Sequence, residues 1–306
     1  MSGLKVSLLG APRLERDGVS FELRPRKNIA LIAYLAVTGQ SHSREALITL
    51  LWPELEPSRA RGGLRRNLSM LRKALGEAWL VVDRESVGLN LRPGFGLDVD
   101  RFRNLLRAWQ PHGHPESEPC SACLTALAEA VELYRGDFLE GFGLRDSVNF
   151  DEWQFFQTEG LRQELASALE RLVQGHSTQR AYASAIPYAR RWVALDPLHE
   201  PAHRALMRLY AWSGQHVVAL RQYAECERVL REELGLPPAE ETVELAQTIK
   251  SRRLAPPATG RPAKPTTSLP ARPKHNLPVQ LTPFIGREPF LAEIAELLDE
   301  DRKSVV

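Results

Sequence analysis

From Asp98 to about Arg252 the chain is written in one period. Apolar residues recur every three to four positions, and Gly, Pro and Asp-Pro cut the pattern into helix-length pieces. The pieces are "LTALAEAVELY", "FDEWQFFQTEGLRQELASALERLV", "AYASAIPYARRWVAL", "PAHRALMRLYAWSG", "VVALRQYAECERVLREELG" and "AEETVELAQTIKSRR". Ala185-Ile186 and Ala219-Leu220 lie 34 residues apart, each opening the first helix of a pair, and "LDPLHEP" and "LGLPPAEE" are the turns that follow. An amphipathic helix cannot bury its stripe alone, so such pairs must stack on their neighbours.

A 34-residue helix-pair period is that of tetratricopeptide (TPR) repeats. The first 95 residues follow a different pattern. "LKVSLLG" (4–10), "RLERDG" (13–18) and "SFEL" (20–23) alternate as short strands, with a turn at Asp17-Gly18. "RPRKNIALIAYLAVTG" then changes to a helical period, with Ile29, Ile32, Ala33 and Leu35 on one stripe and Gly39 as the stop. "SREALITLLWP" is a second helix, N-capped by Ser43 and ended by Pro53. "SRARGGLRRNLSMLRKALG" (58–76) is a third, capped by Ser58, and "WLVVDRESVGLNL" (79–91) folds as two strands around a turn near Arg84–Ser86. Strands, three helices and a hairpin, in that order, make a winged helix-turn-helix. The expected fold class is mainly α: an N-terminal winged helix-turn-helix (α+β), residues 1–95, followed by an all-α TPR-like helical domain, residues 98–252. A proline-rich linker (253–280) follows, and then an amphipathic element (281–306) that reads as the stump of a further domain.

Charge separates the same two regions. The formal net charge is only +2, yet residues 1–92 hold 15 Lys/Arg against 9 Asp/Glu, and residues 98–252 hold 17 against 23. The basic part suits a polyanion and the acidic part does not. Within 58–76 six cations (Arg59, Arg61, Arg65, Arg66, Arg72 and Lys73) occur with no acid. On a helix, Leu64, Leu68, Leu71 and Leu75 form a core-facing stripe. Arg66 and Lys73 point directly away from it, with Ser69, Gly62 and Arg59 beside them, and Arg65 and Arg72 lie on a flank. A solvated face is the plain alternative, but the position as last of three helices before a hairpin points to DNA. Guanidinium groups serve both base edges and phosphates. Gly62 and Gly63 cost helix stability, and their smallness suits close approach to a backbone.

Both regions together resemble the Streptomyces antibiotic regulatory protein (SARP) family, with an OmpR/PhoB-type winged helix before a bacterial transcriptional activator domain. The resemblance rests on "LLGAPRLERDG", "REALITLLWPE", "LRRNLSMLRKALG", "LYRGDFLEGF", "DEWQFFQTEGLRQE" and "ALDPLHEPAHRALMRLYAWSGQHVVALRQYAECERVLREELGLPP". It implies double-stranded DNA as partner, direct-repeat sites, two protomers on DNA and recruitment of RNA polymerase. It places major-groove contacts on Arg61, Arg65, Arg66, Ser69 and Lys73, and phosphate contacts on Arg24, Arg26, Lys27 and Arg84. "WPELEPS" matches the loop that touches polymerase in OmpR-like activators. Relatives often show Ala-Asn where this chain has Gly62-Gly63.

"HGHPESEPCSAC" places His112, His114, Cys120 and Cys123 within twelve residues, a ligand set that suits tetrahedral zinc. A polar loop with two thiols, or a redox pair, are the alternatives. Cys226 sits on an apolar stripe and reads as core. "FIGRE" (284–288) resembles the entry to a STAND-type NTPase domain, but no G-x-x-x-x-G-K-[ST] occurs, so no ATP site is expected. Serines, histidines and acids show no catalytic constellation, and Asp98 and Asp100 read as helix caps. No apolar run reaches membrane-span length, so a cytoplasmic protein is expected that is not an enzyme and needs no cofactor besides the possible zinc. Two other functions stay open: a TPR-type protein-interaction scaffold, or the regulatory front half of an ATP-dependent switch.

Overall fold

The computed structural model describes residues 3–113 and 119–256, all of which lie in one of the chain's two units. Most of the linker and the whole 281–306 element lie outside the described residues.

Three short strands come first, β1 (Leu4–Ser7), β2 (Arg13–Arg16) and β3 (Val19–Ser20). In β1, Leu4 and Val6 are buried and Lys5 between them is exposed, as a one-sided sheet requires. Asp17 and Gly18, both at positive φ, make the β2–β3 turn. Helix α1 (Arg26–Thr38) ends where Gly39 takes φ 64°, the left-handed stop expected of glycine. Then follow β4 (His42–Ser43), α2 (Arg44–Leu51), α3 (Pro57–Leu75), β5 (Leu80–Val82), β6 (Ser86–Leu89) and β7 (Phe95–Leu97). Ser43 caps α2 as expected, its hydroxyl accepting from the Ala46 N–H at 3.1 Å. Ser58 does not cap α3. Pro57 opens that helix, and the Glu56 carboxylate, one residue earlier, accepts from the N–H groups of Ser58 and Arg59. A carboxylate there also suits the positive end of the helix.

Two strands carry no signature in the sequence. β4 is two residues long and adds to the hairpin, giving the order β4-β6-β5. β7 runs parallel to β1, with Leu4 opposite Phe95 and Val6 opposite Leu97, so the first sheet has the order β3-β2-β1-β7.

The remaining elements are helices: α4 (Asp98–Leu106), α5 (Ser121–Leu133), α6 (Val148–Thr178), α7 (Tyr182–Leu195), α8 (Glu200–Trp212), α9 (His216–Leu234) and α10 (Glu240–Lys250). α7 and α9 start 34 residues apart, and Ala185 and Ala219 at their equivalent positions are both fully buried. Alanine there lets the stacked helices approach closely. Cys226 is buried in α9, as its stripe position predicts. Among the described residues no helix is long and apolar enough to cross a membrane.

One apolar core runs from the first sheet into the helices, joining Leu4 and Val6 to Leu127, Phe138 and Leu165. Trp153 on α6 anchors it, with ring centroids 5.1 Å from Tyr34 on α1, 5.6 Å from Phe138 and 5.3 Å from Phe150. Polar bonds fix the same junction. The buried Ser147 hydroxyl donates to the Leu51 carbonyl at 2.7 Å and the Asn149 amide to the Thr49 carbonyl at 2.8 Å. The Leu139 N–H donates to Leu8 at 2.8 Å. Asp98 and Asp100 were expected as caps, but the N-cap of α4 is Leu97. The Asp98 carboxylate instead accepts from the N–H groups of Leu8 and Leu9 at 2.8–2.9 Å and lies 3.5 Å from Arg135. The end of β1 has no strand partner at these two amides, and the carboxylate supplies one.

Candidate nucleic-acid interface

α3 is built as its period demands. Leu64, Leu68, Leu71 and Leu75 are buried, and Ala60 and Asn67 join them. Arg59, Arg61, Arg65, Arg66, Ser69, Arg72 and Lys73 are all exposed while the helical region is docked. Among the described residues, Arg61 alone of these six cations has a carboxylate within ion-pair distance, Glu45 at 3.1 Å. Both members of that pair are exposed, so a stronger anion displaces Glu45 at little cost. The face is therefore an uncompensated cationic strip on a rigid, core-anchored helix.

The two glycines differ. A Cβ on Gly62 would meet nothing nearer than the mobile end of Arg66 at 3.9 Å. A Cβ on buried Gly63 would lie 3.2–3.4 Å from the Trp52 indole. Gly63 thus makes room for Trp52, which is 7% exposed, and not for an approaching nucleic acid. We expect Gly62→Ala to raise stability by about 1 kcal/mol through helix propensity. Gly63→Leu should lower it by about 1–3 kcal/mol through overpacking against the indole. Urea denaturation of both variants checks this, and equal effects at the two positions would contradict it.

Arg84 sits exposed in the β5–β6 turn, the tip of the wing. Arg44 braces that turn, its guanidinium donating to the Asp83 carbonyl at 2.9 Å. Arg24 is exposed and lies 3.3 Å from Glu22. Arg26 stacks on Phe142 with its guanidinium 4.8 Å from the ring centroid. Lys27 corrects its expected role as a phosphate contact. Its side chain is 13% exposed and its ammonium donates to the Leu51 carbonyl and to Asp146 at 2.7 Å, above the Trp52 ring. It holds the end of α2 to the helical region, with its ammonium engaged by two acceptors of the fold. The loop 52–56 presents Leu55 at 45% exposure, while Glu56 is occupied by the α3 cap.

The second candidate cluster also assembles. The ligand atoms of His112, Cys120 and Cys123 lie within 4.8 Å of one another. His114 lies outside the described residues.

The comparisons agree with this architecture. The family model described as "Bacterial transcriptional activator domain" matches residues 97–250. "Regulatory protein AfsR" of Streptomyces coelicolor is 28% identical over 302 residues, covering 96% of this chain and 29% of its own length. "Transcriptional regulatory protein MoaR1" of Mycobacterium tuberculosis is 27% identical, with 77% of this chain and 76% of that protein covered. The chain thus spans under a third of the AfsR sequence. A solved structure, Mycobacterium tuberculosis EmbR in complex with a low affinity phosphopeptide, shares the fold with TM-score 0.65 at 23% identity, over 83% of this chain and 67% of that one. With the family model matched from the last strand of the first sheet to the end of α10, behind a winged helix whose third helix is cationic, the chain belongs to the bacterial transcriptional activator domain family of SARP-type regulators.

Proposed function

We propose that the chain is a sequence-specific, double-stranded-DNA-binding transcriptional activator. One observation carries this: six cations on α3 stay exposed, five of them with no carboxylate in ion-pair reach among the described residues, on a helix whose other face is locked into the core. In a winged helix this is the element that enters the major groove. Arg61, Arg65, Arg66, Ser69 and Lys73 face base edges and inner phosphates, and Arg59, Arg72, Arg24, Arg26 and the wing's Arg84 face the flanking backbone. Lys27 is left out, because its ammonium is spent inside the fold. Most affinity comes from phosphate neutralisation and most specificity from a few guanidinium contacts to base edges.

The acidic helical region repels DNA and stays off it. Its core-deep junction with the winged helix fixes the direction in which α3 points, which suits two protomers set in tandem on a direct repeat. The exposed 52–56 loop, with Leu55 at its tip, is the surface offered to RNA polymerase. Relatives named as transcriptional regulators support the same reading.

The test is titration of the full chain against DNA from upstream of its own gene, with scrambled DNA as control, at two salt concentrations. Binding should prefer the upstream sequence. Its logarithm should fall with the logarithm of salt with a slope of about −0.9 per neutralised phosphate. Affinity indifferent to both sequence and salt would defeat the proposal and favour a protein-interaction scaffold.

A further inference from the structure

We propose that His112, Cys120 and Cys123 supply three of the four ligands of a tetrahedral zinc ion, which ties the 3-10 turn Gln110–His112 to the start of α5. This is independent of the DNA-binding proposal and concerns a part of the fold remote in sequence from α3.

The local structure delivers the three side chains separately. Cys120 is the N-cap residue of α5 and Cys123 stands at its third position, so one helical turn brings both sulfurs to the same side. His112 closes the 3-10 turn, and Gly113 follows it at φ 71°, turning the chain away just after the imidazole.

The distances fit a metal better than they fit a disulfide. His112 Nδ1 lies 3.0 Å from Cys123 Sγ and 3.3 Å from Cys120 Sγ, and the two sulfurs are 3.6 Å apart. A disulfide needs about 2.05 Å. Tetrahedral zinc, from its ordinary bond lengths, needs sulfurs about 3.8 Å apart and a nitrogen about 3.6 Å from each. The triangle is thus slightly contracted around the position that an ion would take. Two thiolates and one imidazole form a soft to borderline set that selects zinc over magnesium or calcium. Two thiolate charges also neutralise the ion, which suits a site with Cys123 buried and His112 exposed. On binding, the thiols give their protons to solvent.

The floor beneath the site is shaped for it. Gly175 of α6 is buried, and a Cβ there would come within 2.5 Å of the Leu124 side chain and 3.1 Å of Pro119. α6 therefore lets the segment that flanks both cysteines settle directly on its backbone. Pinning the 3-10 turn to this segment fixes the end of the α4–α5 connection against α6.

The full chain, purified reduced and without chelator, should carry about one zinc per molecule by mass spectrometry of the metal. Cys120→Ser and Cys123→Ser should each reduce this at least tenfold, while Cys226→Ser retains it. Circular dichroism confirms that each variant is folded. Independently of any variant, cobalt replacing the zinc should give a thiolate-to-cobalt charge-transfer band and the intense visible bands of a tetrahedral site. Chelation should lower the melting temperature of the wild-type chain and leave that of a folded Cys120→Ser variant unchanged. Three results overturn the proposal: no zinc bound by the reduced wild-type chain, zinc retained without Cys120 and Cys123, or octahedral cobalt spectra.

Discussion

Replacing Arg65, Arg66 and Lys73 together by alanine is expected to abolish specific DNA binding while leaving the fold intact. All three side chains are exposed, and none has a carboxylate in ion-pair reach within the described residues, so the folded chain loses no internal bond. Each alanine is also a good helix former, so α3 itself is not weakened. Arg66 alone should cost about 1–3 kcal/mol if it reads a base edge, roughly a factor of 5 to 150 in affinity. The triple change should lose two or more decades and make the salt slope shallower by about one for each phosphate contact removed. Titration at two salt concentrations separates the roles. A cation that reads a base relaxes preference at one operator position, whereas one that holds a phosphate weakens all sequences equally. Unchanged affinity on the preferred site would remove α3 from the interface altogether. Arg61→Ala should cost less, because it also releases the Arg61–Glu45 pair.

Asp98→Ala should be strongly destabilising, at about 2–5 kcal/mol. The side chain is 10% exposed, and its carboxylate serves both the Leu8 and Leu9 amides as well as Arg135. Alanine leaves two amides at the end of β1 without an acceptor, and each such orphan costs about 1–3 kcal/mol. It also leaves Arg135 beside an apolar junction. Asp98→Asn should fall between, because one amide oxygen can serve one N–H while its NH2 group opposes the other. Urea denaturation measures the midpoint shift, and a loss below about 1 kcal/mol for alanine would refute the assignment. The same change should weaken DNA binding at temperatures where the chain stays folded. Asp98 lies where β1, α4 and the loop after α5 meet, so it helps to set the direction of α3.

The local elements follow from short-range rules. The leucine stripe of α3, the Ser43 cap, the Gly39 stop and the Asp17-Gly18 turn each depend on residues within about one helical turn of one another. The 34-residue spacing of Ala185 and Ala219 belongs with them, because a repeat declares its own packing partner. The cationic face of α3 was legible for the same reason: a helical period decides which side chains share a side. Positions whose role depends on distant partners were not legible. Lys27 looks like one more cation in "RPRKN" until Asp146 and the Leu51 carbonyl are brought to it. Gly63 looks like room for DNA until Trp52 fills it. Asp98 looks like a cap until the end of β1 arrives without a hydrogen-bond partner. β7 shows no alternation over three residues, and exists because β1 offers it an open edge. By itself the sequence determined which segments are helices and which face of α3 is charged, because those depend on period and on neighbouring backbone. Only the tertiary structure decided which polar groups are spent inside, since a buried donor or acceptor must be paired and the chain closes each pair across the whole fold.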